Sequence, residues 1–271
     1  MVHARTWGRL AALGMIAFSA GAIAETPPRL SGSLTAAVQS TDHQQLVLGT
    51  GEIALSLTPR VALALDLGVV SDLGGPDGAW GFANPQLSVD VAFEPGPLHL
   101  DAIAGTTVPI GSGGGDQASP TTRDAMLSGT DWGGPMFAPN HVDLFGGMKL
   151  AAPLGALRLE AKGILNQAFR VRGDGVDSVG PSVTFLASSA RASYARGGFT
   201  VFAEFLEIAI LNTPRFVEMD PGARESRYLG AGLKVQGLFR CDLSPTLRYV
   251  RAIDENKMAE GFQVIELTLA I

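Results

Sequence analysis

The sequence predicts an all-β protein, a single up-and-down antiparallel barrel of about twelve strands that crosses a membrane. Three observations predict it. Apolar side chains recur at every second residue, charged residues fall mid-strand on the opposite face, and short turns alternate with longer links. Of the 271 residues, 46% are hydrophobic and 17% charged, and beyond the N-terminus no apolar run is long enough for a spanning helix. The 34 glycines and 16 prolines punctuate short segments instead of forming a low-complexity block, which excludes collagen-like and disordered chains. A net charge of −6 argues against a nucleic-acid partner. The single cysteine, Cys241, leaves no disulfide framework and no cysteine-based zinc site, and no cofactor is implied.

Residues 1–24 read as a signal peptide: Arg5 and Arg9, an apolar stretch from Leu10 to about Ala20, then Ala22-Ile23-Ala24. Residues 25–271 form the expected barrel. Strands are expected near 30–39, 45–57, 60–71, 84–94, 97–110, 140–153, 155–172, 181–194, 197–211, 226–240, 244–253 and 259–271. The seventh shows the pattern best. Leu157, Leu159, Ala161, Leu165 and Phe169 alternate with Arg158, Glu160, Lys162, Asn166 and Arg170, so one face meets oil and the other water. Two segments are ambiguous: 200–211 also scores as a helix, and 182–194 changes phase near Ser188-Ser189, as a bulge would produce. The tight connections hold Thr58-Pro59, Glu94-Pro95-Gly96, Pro153-Leu154-Gly155, Arg196-Gly197-Gly198 and Asp242-Leu243-Ser244, and the longer ones fall between them.

On this architecture the chain resembles the bacterial outer-membrane β-barrels, porins and transporters, over the whole of 25–271. The stretch Gly105-Thr106-Thr107-Val108-Pro109-Ile110-Gly111 is loosely similar to the transporter-like barrels of phenol meta-pathway clusters. The resemblance implies periplasmic termini, membrane lipid and the barrel-assembly machinery as partners, and small-molecule solutes as cargo. Such families usually end in an aromatic residue, whereas this chain ends in Ile271, which implies a variant assembly signal. A secreted β-sandwich or solenoid is the soluble alternative.

With the apolar face in lipid, the other face lines the lumen and its charges sort by strand. Glu52, Asp66, Asp90 and Asp101, with His99, give an acidic wall free of lysine and arginine. Lys149, Arg158, Lys162, Arg170, Arg172, Lys234, Arg240 and Arg248 give a basic wall, tempered by Asp143 and Glu160. Opposed walls would set up a transverse field that selects permeants; the alternative is that the charges pair and close the interior. The longest link, 111–139, is expected as a surface loop; folded inward it would carry Trp132 and Phe137 to a constriction. The expected function is passive passage of small solutes, either polar ions through the lumen or apolar compounds by a loop-gated route. A structural barrel or a lipid-modifying enzyme is the alternative. Catalysis is not expected, because His43, His99 and His141 show no serine partner at a useful spacing, and no metal-ligand motif occurs.

Overall fold

The computed structural model describes residues 29–74, 79–94, 96–114, 120–171, 181–214, 217–218, 220–237 and 243–270. The expected signal peptide, Arg172, Arg240, Cys241 and Ile271 lie outside them. Thirteen strands follow in order: β1 (Arg29–Ser40), β2 (Gln45–Thr58), β3 (Val61–Asp72), β4 (Trp80–Phe82), β5 (Gln86–Phe93), β6 (His99–Thr107), β7 (His141–Leu154), β8 (Leu157–Arg170), β9 (Ser182–Arg196), β10 (Phe199–Ile210), β11 (Glu225–Val235), β12 (Ser244–Ala252) and β13 (Gln263–Ala270). Sequential neighbours pair antiparallel, and β13 pairs with β1, which closes the sheet. β4 is an accessory. It adds three residues to β3 at Val69–Ser71, while β3 also pairs with β5 at its other end, so the ring itself has twelve strands. Closure leaves no free edge, the condition for a sheet to persist in hydrocarbon.

The period-two pattern is realised as burial. Leu34 and Val38 on β1, Leu63 and Leu67 on β3, Leu159 and Leu165 on β8, and Ile265 and Leu267 on β13 are all exposed on the outer wall. Their neighbours in sequence point inward. An exposed apolar belt of this extent is a lipid surface, not a water surface. The tight turns follow from local chemistry: Arg196 pairs with Phe199 across Gly197-Gly198, both at positive φ, as a two-residue hairpin needs. Leu154 and Leu157 pair across Gly155-Ala156, where Gly155 takes the positive φ.

Two ambiguous segments are settled and one expectation is corrected. β10 is a strand throughout and not a helix, because its inward side chains Phe202, Leu206, Ile208 and Ile210 are buried while the intervening residues face out. β9 keeps one register from Ser182 to Arg196 with no bulge; its inward set changes from Val183, Phe185 and Ala187 to Ser189 and Arg191 without a change of phase. The correction concerns the link 111–139, whose described residues 120–139 fold inward. Helix α1 (Pro120–Gly133) and a 3-10 turn over Gly134–Phe137 sit within the ring against β2, β3 and β4. Ala125, Met126 and Phe137 are fully buried, and Gly134 at φ 75 ends the helix. A smaller helix, α2 (Glu255–Ala259), lies in the link between β12 and β13, with Asp254 accepting from the Lys257 N–H as its N-cap.

The interior is therefore stratified. Toward the long links it is packed like the core of a soluble protein, with Leu46, Val70, Phe185, Leu206, Tyr228 and Val264 in one cluster with Met126 of α1 and Phe137. Toward the short turns it is lined by charge. On β6, β7 and β8 a small apolar layer of Ile103, Phe145 and Ile164 separates the two regions. The tip of the Phe145 ring reaches over Gly105, where a side chain would collide with it and with the Leu87 carbonyl oxygen.

Candidate functional site

The charged half of the interior forms a belt whose order follows the strands. Glu52 on β2 pairs in register with Asp66 on β3, and Asp66 accepts a hydrogen bond from the Gln86 side chain on β5 at 3.1 Å. Asp90 follows, within Coulomb reach of Asp66 and Asp101. Asp66 and Asp90 are each only 8% exposed. Asp101 on β6 then stands in register with Lys149 on β7, which is the seam between the acidic and basic arcs.

Beyond that seam the cations are interleaved with carboxylates. Lys149 reaches Glu160 at 3.3 Å and Arg158 reaches the same carboxylate at 3.1 Å. Arg191 on β9 binds Glu204 on β10 through two nitrogens, at 3.0 and 2.6 Å. Glu204 is also held by Arg248 on β12, and Arg248 continues to Glu266 on β13 at 3.4 Å. Glu204 and Arg248 are almost fully buried, so the network is enclosed and its charges are mutually neutralised. Trp132 of α1 closes it: its indole N–H donates to Glu266 at 3.0 Å while the Arg248 guanidinium lies 4.7 Å from the ring centroid.

Among the residues expected from sequence, Glu52, Asp66, Asp90, Asp101, Lys149, Arg158, Lys162 and Arg248 fall in this belt. Arg170 does not. It stands opposite His141 at the long-link end of β8, twelve residues and roughly 40 Å of strand from Arg158 at about 3.3 Å per residue. Lys234 lies near the short-turn end of β11, opposite Thr200. Phe137 is buried beneath β3, its ring against the space over Gly68, and belongs to the packed half. Two residues escaped sequence reasoning, Arg191 and Glu204, while Glu266, on the polar face of the last strand, stands in neither expected wall. Arg191 follows the supposed phase change, and Glu204 sits in the segment that also scored as a helix. Strict alternation carried through both strands would have found them.

The histidines form no catalytic pair among the described residues. His99 Nδ1 lies 3.5 Å from Glu94, not on Asp101, and His141 Nδ1 is 2.7 Å from the Pro139 carbonyl. No described cluster of acidic, histidine or cysteine residues is arranged to hold a metal ion. An apolar groove of about 820 Å³ does exist, but its walls include Leu34, Leu67, Val69 and Phe82, so it lies on the outer, lipid-side surface.

No protein-family model and no curated protein sequence matches the chain. Solved structures do. An outer-membrane channel from Pseudomonas putida F1 superposes with a TM-score of 0.61 at 14% identity, over 91% of this chain and 96% of that one. The fold is that of bacterial outer-membrane channel barrels. The NanC porin is similar with a TM-score of 0.55 at 9% identity, over 89% and 98% of the two chains. The KdgM porin, solved with disordered oligogalacturonate, gives 0.50 at 6% identity, over 88% and 97%. Identities this low convey the architecture of the barrel and nothing about cargo.

Proposed function

We propose that the chain is a channel of the bacterial outer membrane through which small solutes pass passively, with α1 as its constriction. One observation carries the reading: a closed ring of twelve strands has an apolar outer belt and a charged inner one. Inward charges that the fold does not pair, Asp90 and Lys162 among them, favour a path over a purely structural interior, where they would be costly to enclose. The signal peptide read in residues 1–24 and the alternation of short turns with long links support the outer membrane, with the short turns facing the periplasm. The same placement makes membrane lipid and the barrel-assembly machinery its partners. The acidic arc Glu52, Asp66, Asp90 and Asp101 faces an arc in which Lys149, Arg158 and Lys162 supply the positive ends of a transverse field.

The packed half of the interior makes α1 the element that a permeant must pass. Trp132 on Glu266 and Arg248 anchors it on one wall, and the Gln39 side chain, donating to the Ser128 carbonyl at 3.1 Å, anchors it to β1. Reconstitution of the full chain into planar bilayers tests the function. Discrete conductance steps, enlarged when Trp132→Ala frees the helix, are expected; electrically silent bilayers with both proteins would refute the channel.

A further inference from the structure

The apolar groove of about 820 Å³ on the outer wall follows the register of the strands. Leu269 on β13, Leu34 on β1, Gly51 on β2 and Leu67 on β3 stand side by side in one outward row. Leu267, Ala36, Gly49 and Val69 form the next, which Phe82 on β4 continues. The leucines, Val69 and Phe82 are exposed and make the rims, while Ala36, Gly49 and Gly51 leave the middle hollow. The backbone between the two rows is the floor, and it is propped from within the ring: the ends of Met136 and Phe137 fill the space over Gly68. Rims two residues apart along each strand are separated by roughly 6.6 Å, and four strand spacings of roughly 4.8 Å from β13 to β4 make the groove roughly 19 Å long.

We propose that this groove holds one acyl chain of an outer-leaflet lipid. Its dimensions choose the occupant. A hydrocarbon core of about 30 Å gives the chains of each leaflet about 15 Å, so one chain lies along the groove, whereas a helix about 10 Å across or the convex wall of a second barrel cannot enter it. Water gains nothing from an apolar lining. A chain has no hydrophobic reason to prefer the groove to the bilayer, so what holds it is contact on three sides, which an empty groove would forfeit. Strands of such barrels tilt by roughly 35–45°, so a groove that crosses them runs obliquely to the membrane normal and sets its chain apart from the upright chains around it. The mouth lies at β4, beside the long links. Trp80 there is 60% exposed and meets Phe82 edge-on, with ring centroids 5.1 Å apart, and exposed tryptophan marks the headgroup level of a barrel. The choice of leaflet rests on the outer-membrane orientation given above, whereas the binding holds whether or not the lumen conducts.

Native mass spectrometry of the delipidated full chain, released from micelles after addition of dipalmitoyl phosphatidylethanolamine, tests the site. The first lipid is expected to bind about tenfold more tightly than those that follow, at one per barrel. Gly51→Leu fills the hollow from its floor, where the new side chain would meet only the flexible end of Leu34 within 3.4 Å, at 3.3 Å, and is expected to erase that first step while the later ones remain. Ala161→Leu, an equal enlargement on the outer face of β8, is expected to keep it. Each variant is checked for folding by its heat-modifiable mobility on a gel. Lipids that bind the unaltered protein with one uniform weak affinity overturn the site, and so does a first step that survives Gly51→Leu. A dimer mass that Gly51→Leu abolishes overturns it as well, because the groove then belongs to a second copy. Potassium chloride conductance is recorded separately. A silent barrel that holds its one lipid sinks the channel and spares the site, whereas a conducting barrel without a tight first lipid sinks the site and spares the channel.

Discussion

Glu204 holds two guanidiniums at once, Arg191 at 2.6 Å and the almost wholly buried Arg248. Removing the carboxylate takes from the buried Arg248 a direct counter-charge, with Glu266 farther off at 3.4 Å, and unbalanced buried charge is among the costlier defects a fold can carry. Glu204→Ala is therefore expected to lower unfolding free energy by about 3–5 kcal/mol in denaturant titrations of the barrel in micelles or vesicles. A loss below about 1 kcal/mol would mean that water already shares this network, as it does at exposed ion pairs. On the opposite wall of each strand the chemistry reverses. Ile53 is 51% exposed near the middle of β2, on the belt assigned to lipid. Ile53→Arg is expected to cost about 2–4 kcal/mol in the same titration, the penalty of a cation at mid-membrane depth. A neutral effect would place Ile53 in water.

At the scale of elements, α1 is the part with an identifiable anchor. Trp132 donates to Glu266 and stacks on Arg248, so one aromatic side chain ties the helix to β12 and β13. Limited proteolysis tests the tie: Trp132→Ala is expected to speed cleavage within 120–133 several-fold while the strands stay protected, and unchanged cleavage would show that apolar packing around Met126 and Phe137 suffices. The strands were legible in the sequence because the two-residue period is enforced along nearly every wall by lipid on one side and polar groups on the other. The inward fold of 111–139 was not, because its glycines and polar residues look the same on a surface loop as on a plug. Only the complementary observation, that β9 and β10 place Phe185, Leu206, Ile208 and Ile210 inside the ring, betrays an apolar occupant. Those same inward apolar residues are what made β9 look out of phase and β10 look helical. The acidic arc was readable from alternation alone, whereas the pairing of Arg191 and Arg248 around Glu204 depends on neighbours distant in sequence.

For the whole molecule, the division into a packed half and a charged half assigns different tasks to the two ends of the barrel. On the proposed channel reading the packed half would control entry, and the charged half, with its acidic and basic arcs in opposition, would sort what enters. Arg158→Ala combined with Lys149→Ala is expected to move the permeability ratio of reconstituted channels toward cations by about twofold or more, read as a shift of the reversal potential in a salt gradient. An unmoved reversal potential would take both cations out of the pathway. The most direct measurement is single-channel recording of the purified full chain, alone and with Trp132→Ala, in planar bilayers. Stepwise currents that grow when the helix loses its anchor are the predicted result; bilayers that carry no current with either protein, although both barrels are folded, would contradict it.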